Sequence, residues 1–121
     1  MGAVSIDLNK NERKLESLFP MNTKRGIQTF LENYSLLQGL IYSSADYDAL
    51  IMLIDFNRAL DESYLSAKEI YALREVFIKD KKRVDVAKEL GVTKQTVQSW
   101  LSRSTQKLAN YYTEIEGELY V

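Results

Sequence analysis

Apolar residues return at steps of three and four along most of the chain, the period that lines them up on one face of a helix. Ile27, Phe30, Leu31, Tyr34, Leu37 and Leu40 follow this spacing, and Asn22 or Thr23 can cap the single helix they predict, which runs to about Leu40. The pattern breaks between Gly39 and Ala45. Beyond the break, Ser43, Ser44 or Asp46 can cap a helix through about Leu60, whose Tyr47, Leu50, Ile51, Leu53, Ile54, Phe56 and Leu60 cover more than half of its circumference. A helix so broadly apolar is expected at the centre of the fold. Nearer the start, Asn9 and Glu12 have the spacing of a capping box and open a short helix carrying Leu15, Leu18 and Phe19, which Pro20 ends.

The same signals recur after Leu65. Ser66 and Glu69 form a second capping-box pair, followed by Ile70, Leu73, Val76, Phe77 and Ile78 at helical intervals, until Asp80, Lys81 and Lys82 interrupt the pattern as a turn. No strand-type alternation, internal repeat or low-complexity tract occurs. The expected fold class is therefore all-α. It divides into an N-terminal helical region at 1–64 suited to partner or subunit contacts, a helix-turn-helix unit at 65–112 packed against it, and an acidic tail at 113–121.

The segment from Arg83 to Ser102 carries the sharpest constraint. Two short helices that cross closely need a small residue where they touch and a residue tolerant of positive φ at the bend. Counting Arg83 as the first position, Ala87 is the fifth and Gly91 the ninth, while Val86, Leu90, Val92, Val97 and Trp100 fall at the inward apolar positions. Thr93 can cap the second helix by accepting from the Thr96 amide. Val97, Trp100, Leu101, Ser104 and Leu108 share one face of that helix, which makes Trp100 a core residue rather than a stacking platform. The opposite face presents Gln95, Gln98, Ser99 and Ser102, with Lys94 and Arg103 beside them.

Such a strip is either a solvated surface or a reading surface for a major groove. Glutamine can bond adenine N6 and N7 together, hydroxyls pair with several base edges, and lysine reaches guanine or phosphate. Charge favours the second alternative. The whole chain has a formal net charge of -1, yet between Lys79 and Lys107 eight basic residues face three acids, a net of +5, whereas residues 1–65 carry a net of -3. Lys81, Lys82 and Arg83 open the first helix of the unit, where free amides already favour phosphate, so they are expected to position DNA rather than to specify it. The expected site is thus Lys81, Lys82, Arg83, Thr93, Lys94, Gln95, Thr96, Gln98, Ser99, Ser102 and Arg103. Tyr111 and Tyr112 are expected to cover the base of the unit or to join a subunit contact.

The absence of Cys and His removes thiolate and imidazole ligands and the commonest general base. Asp48 and Asp55, seven apart on a helix with no third ligand group nearby, read as solvated surface. No catalytic role, metal or cofactor is expected. No apolar run reaches the ~20 residues of a membrane span, and Asp, Glu and Lys within the first twenty residues interrupt any signal peptide, so a cytoplasmic protein without membrane partner is expected.

The run LSAKEIYALREVFIKDKKRVDVAKELGVTKQTVQSWLSRSTQKLANYY, residues 65–112, resembles region 4 of bacterial sigma-70-type factors. The likeness lies in the Leu-Ser start, the apolar stretch from Leu73 to Phe77, VAKELGV at 86–92 and the Thr96-Val97 pair before a leucine-bearing helix. Gln98 and Ser99 stand where sigma proteins often carry arginine, so their base preference does not transfer. A complete sigma factor also needs a promoter-melting region rich in aromatic and basic residues. Residues 1–64 are instead acidic and contain no tryptophan, so the chain looks like a sigma-like regulator and not a full sigma factor. The order of elements, with IDFNRAL in the central helix, is similar to small phage and prophage transcription regulators of the ArpU and RinA type. The resemblance implies a regulator that binds double-stranded DNA near a promoter. RNA polymerase contact and a homodimer both remain open. A small terminase-type DNA-packaging protein and a polymerase-binding protein module are the alternatives.

Overall fold

A computed structural model describes residues 18–119, and among these every regular element is helical. The order is α1 (Lys24–Glu32), α2 (Tyr34–Ser44), α3 (Tyr47–Glu62), α4 (Ala67–Leu73), a π turn (Arg74–Ile78), α5 (Arg83–Leu90) and α6 (Lys94–Leu119). The helix expected from Asn9 lies outside the described residues except for its end, where Phe19 is fully buried.

Thr23 starts α1 by accepting from the Gly26 amide at 3.0 Å and donating its hydroxyl proton to the Pro20 carbonyl at 2.9 Å. This turn folds so tightly over the helix that a Cβ on Gly26 would lie 2.0 Å from the Pro20 oxygen. Only glycine fits there. The single helix expected from residue 22 to Leu40 is in fact two, parted at Asn33, whose φ of -106° and ψ of 12° leave the helical region. Asn33 is buried and its side-chain amide donates to the Thr29 carbonyl at 2.8 Å, sharing that acceptor with its own backbone amide at 3.2 Å, a local bond of the kind that competes with helix continuation. The apolar period runs on through this break, so it gives no sign of it.

Asp46, of the three candidate caps, begins α3 by accepting from the Ala49 amide at 3.1 Å. Its inner face of Ala49, Leu53, Phe56, Ala59 and Leu60 is buried, but Tyr47, Ile51 and Ile54 face outward with 73%, 56% and 50% of their surface exposed. The expectation of a central α3 is therefore corrected: apolar residues surround it, yet neighbours cover only one side. The central element is α6, which contacts α1, α3, α4 and α5. Its 26 residues make a rod of roughly 39 Å, long enough to serve both halves of the chain.

One continuous core results. Phe30 meets Phe56 at 4.9 Å between ring centroids and Phe19 edge-on at 6.0 Å, while Val86, Ala87, Val97, Leu101 and Leu108 extend the same cluster into the C-terminal half. Each fully buried Phe or Leu contributes roughly 1.5–3 kcal/mol relative to exposure. The capping box at Ser66 forms as expected, with the Ser66 amide donating to Glu69 at 2.9 Å and the Glu69 amide to the Ser66 hydroxyl at 3.2 Å. Lys107 of α6 then bridges to the buried Glu69 carboxylate at 2.8 Å, locking α4 to the central rod.

Candidate nucleic-acid interface

The connection between α5 and α6 is a three-residue turn, Gly91-Val92-Thr93. Gly91 adopts φ 68° and ψ 33°, its amide donates to the Lys88 carbonyl at 3.3 Å, and the Val92 amide donates to the Ala87 carbonyl at 2.9 Å. These two bonds make a Schellman ending, which needs a left-handed residue at this position and fixes the direction in which the chain leaves the helix. Thr93 then caps α6, accepting from the Thr96 amide at 3.1 Å, with the two threonine hydroxyls 2.9 Å apart. Val86, Ala87 and Val97 are buried between the helices, and Val92 and Trp100 are half-buried against the same core. Leu90, expected inward, is 37% exposed: it is the last residue of α5, and the chain turns away before any element covers it.

On the outer side of α6, Lys94, Gln95 and Gln98 are exposed and Ser99 and Ser102 are half-buried. Positions 95, 98, 99 and 102 form one stripe by helical geometry. Arg103 donates to the Ser99 hydroxyl at 3.1 Å, so the guanidinium lies along the stripe rather than away from it. Ser102 accepts from the Lys24 ammonium at 2.5 Å. That contact joins residues 78 apart and brings the start of α1 to the far end of the stripe.

The three cations that open α5 divide sharply. The Lys81 ammonium lies 2.5 Å from Glu75 and 3.0 Å from Glu89, and those two carboxylates hold its pKa well above the ordinary lysine value. Glu75 is itself buried, and its carboxyl is held below the usual range by hydrogen bonds first from Lys79 and then from Lys81. Lys81 therefore braces the π turn to α5. Lys82 is exposed and has no ion pair among the described residues. Arg83 is half-buried with its guanidinium 5.5 Å from the Phe77 ring centre, and its Nε has no protein hydrogen-bond partner.

The chain matches no protein-family model, no curated protein and no solved structure. What the surface can do chemically thus follows from its own geometry. The exposed amides of Gln95 and Gln98 offer paired donor and acceptor atoms on a rigid helix; Lys94 and Arg103 flank them on the same helix, and Lys82 is a further unpaired cation at the start of α5. Lys24 was missed as a neighbour of this surface. The sequence held a signal for it: Lys24 and Arg25 open α1 with no acid in the first turn, the reverse of the charge that a helix N-terminus favours.

Among the described residues no group of three or more Asp, Glu, His or Cys converges as a metal site, and no helix is long and apolar enough to cross a membrane. An open cleft of about 680 Å³ lies elsewhere, lined by Arg58, Asp61, Glu62, Tyr64, Tyr111 and Glu114, among others. There the Tyr111 hydroxyl donates to the Glu62 carboxylate, which with burial pushes the phenol up to about 12. Tyr112 is half-buried and its phenol is also raised, by burial first and the Asp55 charge second. Both tyrosines are half-buried against the core, with Glu62 and Asp55 of α3 as their charged neighbours.

Proposed function

We propose that α5 and α6 form a helix-turn-helix that reads double-stranded DNA, and that the protein is a transcription regulator acting near promoters in the cytoplasm, in the manner of phage and prophage regulators with a sigma region 4-like module. The observation that carries this reading is the outer stripe of α6: two exposed glutamines and two hydroxyls on one helical face, bordered by unpaired cations and oriented by a Schellman turn at Gly91. The resemblance of residues 65–112 to sigma region 4 supports the same assignment. In it, Gln95 and Gln98 contact base edges, Ser99, Ser102, Thr93 and Thr96 assist or shape that contact, and Lys82, Lys94, Arg83 and Arg103 hold phosphate. Lys81 contributes to this only through the brace it makes with Glu75 and Glu89.

Selection of bound sequences from a random duplex pool, followed by binding titrations on the winning site, tests the proposal. Gln98→Ala is expected to cost about 1–3 kcal/mol on the preferred site and to relax selectivity, while Lys82→Ala weakens all duplexes alike and flattens the salt dependence. No enrichment, together with no duplex binding even in dilute salt, would overturn the DNA reading and favour a polymerase-binding module. An eight- or nine-fold ring in solution would instead favour a packaging protein of the small-terminase type.

A further inference from the structure

The geometry points to a second copy of this chain as the partner of α3, paired across a two-fold axis with the two α3 helices antiparallel. Tyr47, Ile51, Ile54 and Arg58 follow steps of four, three and four and make one outward stripe, opposite the face that packs into the core. Tyr47, Ile51 and Ile54 are exposed, and Arg58, also exposed, stands at the rim of the cleft it lines with Glu62 and with Tyr111 and Glu114 of α6. Three large apolar side chains in line on an otherwise acidic half are an unusual thing to leave in water, and contiguous patches of this kind mark contact sites.

The stripe is complementary to itself in only one direction. When two copies run antiparallel about a point midway between Ile51 and Ile54, Ile51 meets Ile54 of the other copy and Tyr47 meets its Arg58. Every residue of the stripe then has a matched partner, as an isologous interface requires. Arg58 has no ion pair within 4.0 Å among the described residues. In the antiparallel pair its guanidinium reaches the face of Tyr47 and the carboxylate of Asp48 on the opposite copy, a cation–π contact and a salt bridge repeated twice. A parallel pair would instead set Arg58 against Arg58 and Asp48 against Asp48. The backbone dipoles also favour the antiparallel arrangement.

The surface is modest. Tyr47, Ile51 and Ile54 expose on the order of 350 Å² together, and the exposed part of Arg58 adds to this without reaching the ~800 Å² per partner of a standard stable interface. The dimer should accordingly dissociate in the micromolar range rather than the nanomolar. This inference does not rest on the DNA reading. If both hold, the dimer presents two reading helices related by a two-fold axis, and its preferred site is palindromic.

The test uses the full chain without DNA. Sedimentation equilibrium from about 1 μM to about 500 μM should show the mass rise from one chain to two, while Ile51→Glu remains a single chain with unchanged helical circular dichroism. Because the protein has no cysteine, disulfide trapping gives an independent reading of register. A mixture of Tyr47→Cys and Arg58→Cys chains should cross-link under mild oxidation. Neither variant should do so alone, since like positions lie about 16 Å apart along the helix axis. A wild-type monomer at every concentration, an Ile51→Glu chain that dimerises as readily as wild type, or Tyr47→Cys cross-linking to itself as efficiently as to Arg58→Cys would each overturn the proposal. Ile51→Glu leaves α5 and α6 untouched, so binding of a single half-site by the monomeric variant tells failure of the dimer from failure of DNA reading.

Discussion

Gly91→Ala isolates the contribution of the turn that aims α6. The residue sits at φ 68°, where an alanine Cβ costs roughly 1–2 kcal/mol against the neighbouring backbone, and no other atom lies within 4 Å of the position that Cβ would take. Crowding therefore adds nothing, and the penalty is that of the conformation alone. The chain could escape it only by rotating out of the left-handed region, which would break the Gly91 to Lys88 and Val92 to Ala87 hydrogen bonds, at about 1 kcal/mol each. Relaxation is thus no cheaper than strain, and the expected loss is about 1–2 kcal/mol. For a domain of this size that lowers the melting temperature by roughly 4–12 °C. Gly91→Asn should lose less, because asparagine tolerates this conformation. Thermal and urea unfolding of the three proteins provide the assay. Equal stability of wild type and Gly91→Ala would refute the argument, since it would mean that the turn is not held left-handed in solution.

Gly26→Ala and Gly39→Ala make the same chemical change with opposite expected signs. At Gly26 the new methyl collides with the Pro20 carbonyl at 2.0 Å, and a net loss of about 1–3 kcal/mol is expected in urea unfolding, whereas Gly39, inside α2 with open space around it, should gain about 0.5–1 kcal/mol from helix propensity. Glu69 predicts a pH effect. Burial pushes its carboxyl up, but Lys107 and Ser66 outweigh that and leave it below the ordinary value of 4.5, so its stabilising contribution is present above that value and is lost as pH falls through the lower folded-state pKa. The melting-temperature difference between wild type and Glu69→Gln should therefore be largest above about pH 5 and shrink in more acidic buffer; a difference independent of pH would contradict the ion pair.

The features legible in the sequence are those that a few consecutive residues determine. Ser66 with Glu69, Thr93 with Thr96, and Ala87 with Gly91 each act over three or four residues, and all three appear in the structure as expected. What was not legible depends on residues far apart or on a local choice with two answers. Asn33 is compatible with either a continuing or an ending helix, and the apolar spacing around it suits both. The central place of α6 was hidden because its outer stripe is polar, while α3 looked central because nothing in its own sequence says that Tyr47, Ile51 and Ile54 lack neighbours. The π turn at Arg74–Ile78 adds a residue to the helical register and brings Glu75 inward, where a regular helix pattern marked only Val76 and its apolar neighbours.

Charge is where sequence and structure diverge with most consequence. A net of +5 between Lys79 and Lys107 describes the segment as a sum, but Lys79 and Lys81 are held by Glu75, and Lys107 is held by Glu69 outside that segment. Both carboxylates are buried: the departure of Lys107 would leave Glu69 without its ion pair, and the departure of Lys79 or Lys81 would leave Glu75 with one cation in place of two, a larger loss than a surface ion pair suffers. These cations cannot turn to a phosphate without that loss. If the proposed DNA reading holds, the charge available to phosphate is consequently smaller than the sum and sits in a different pattern, with Lys82 just before α5, Lys94 at the start of α6 and Arg103 laid along the stripe toward Ser99. A reading head with few uncommitted cations and neutral glutamines depends less on counterion release than an arginine-rich one. One copy would bind DNA weakly, and two copies joined through α3 would gain through effective concentration what a single surface lacks in charge.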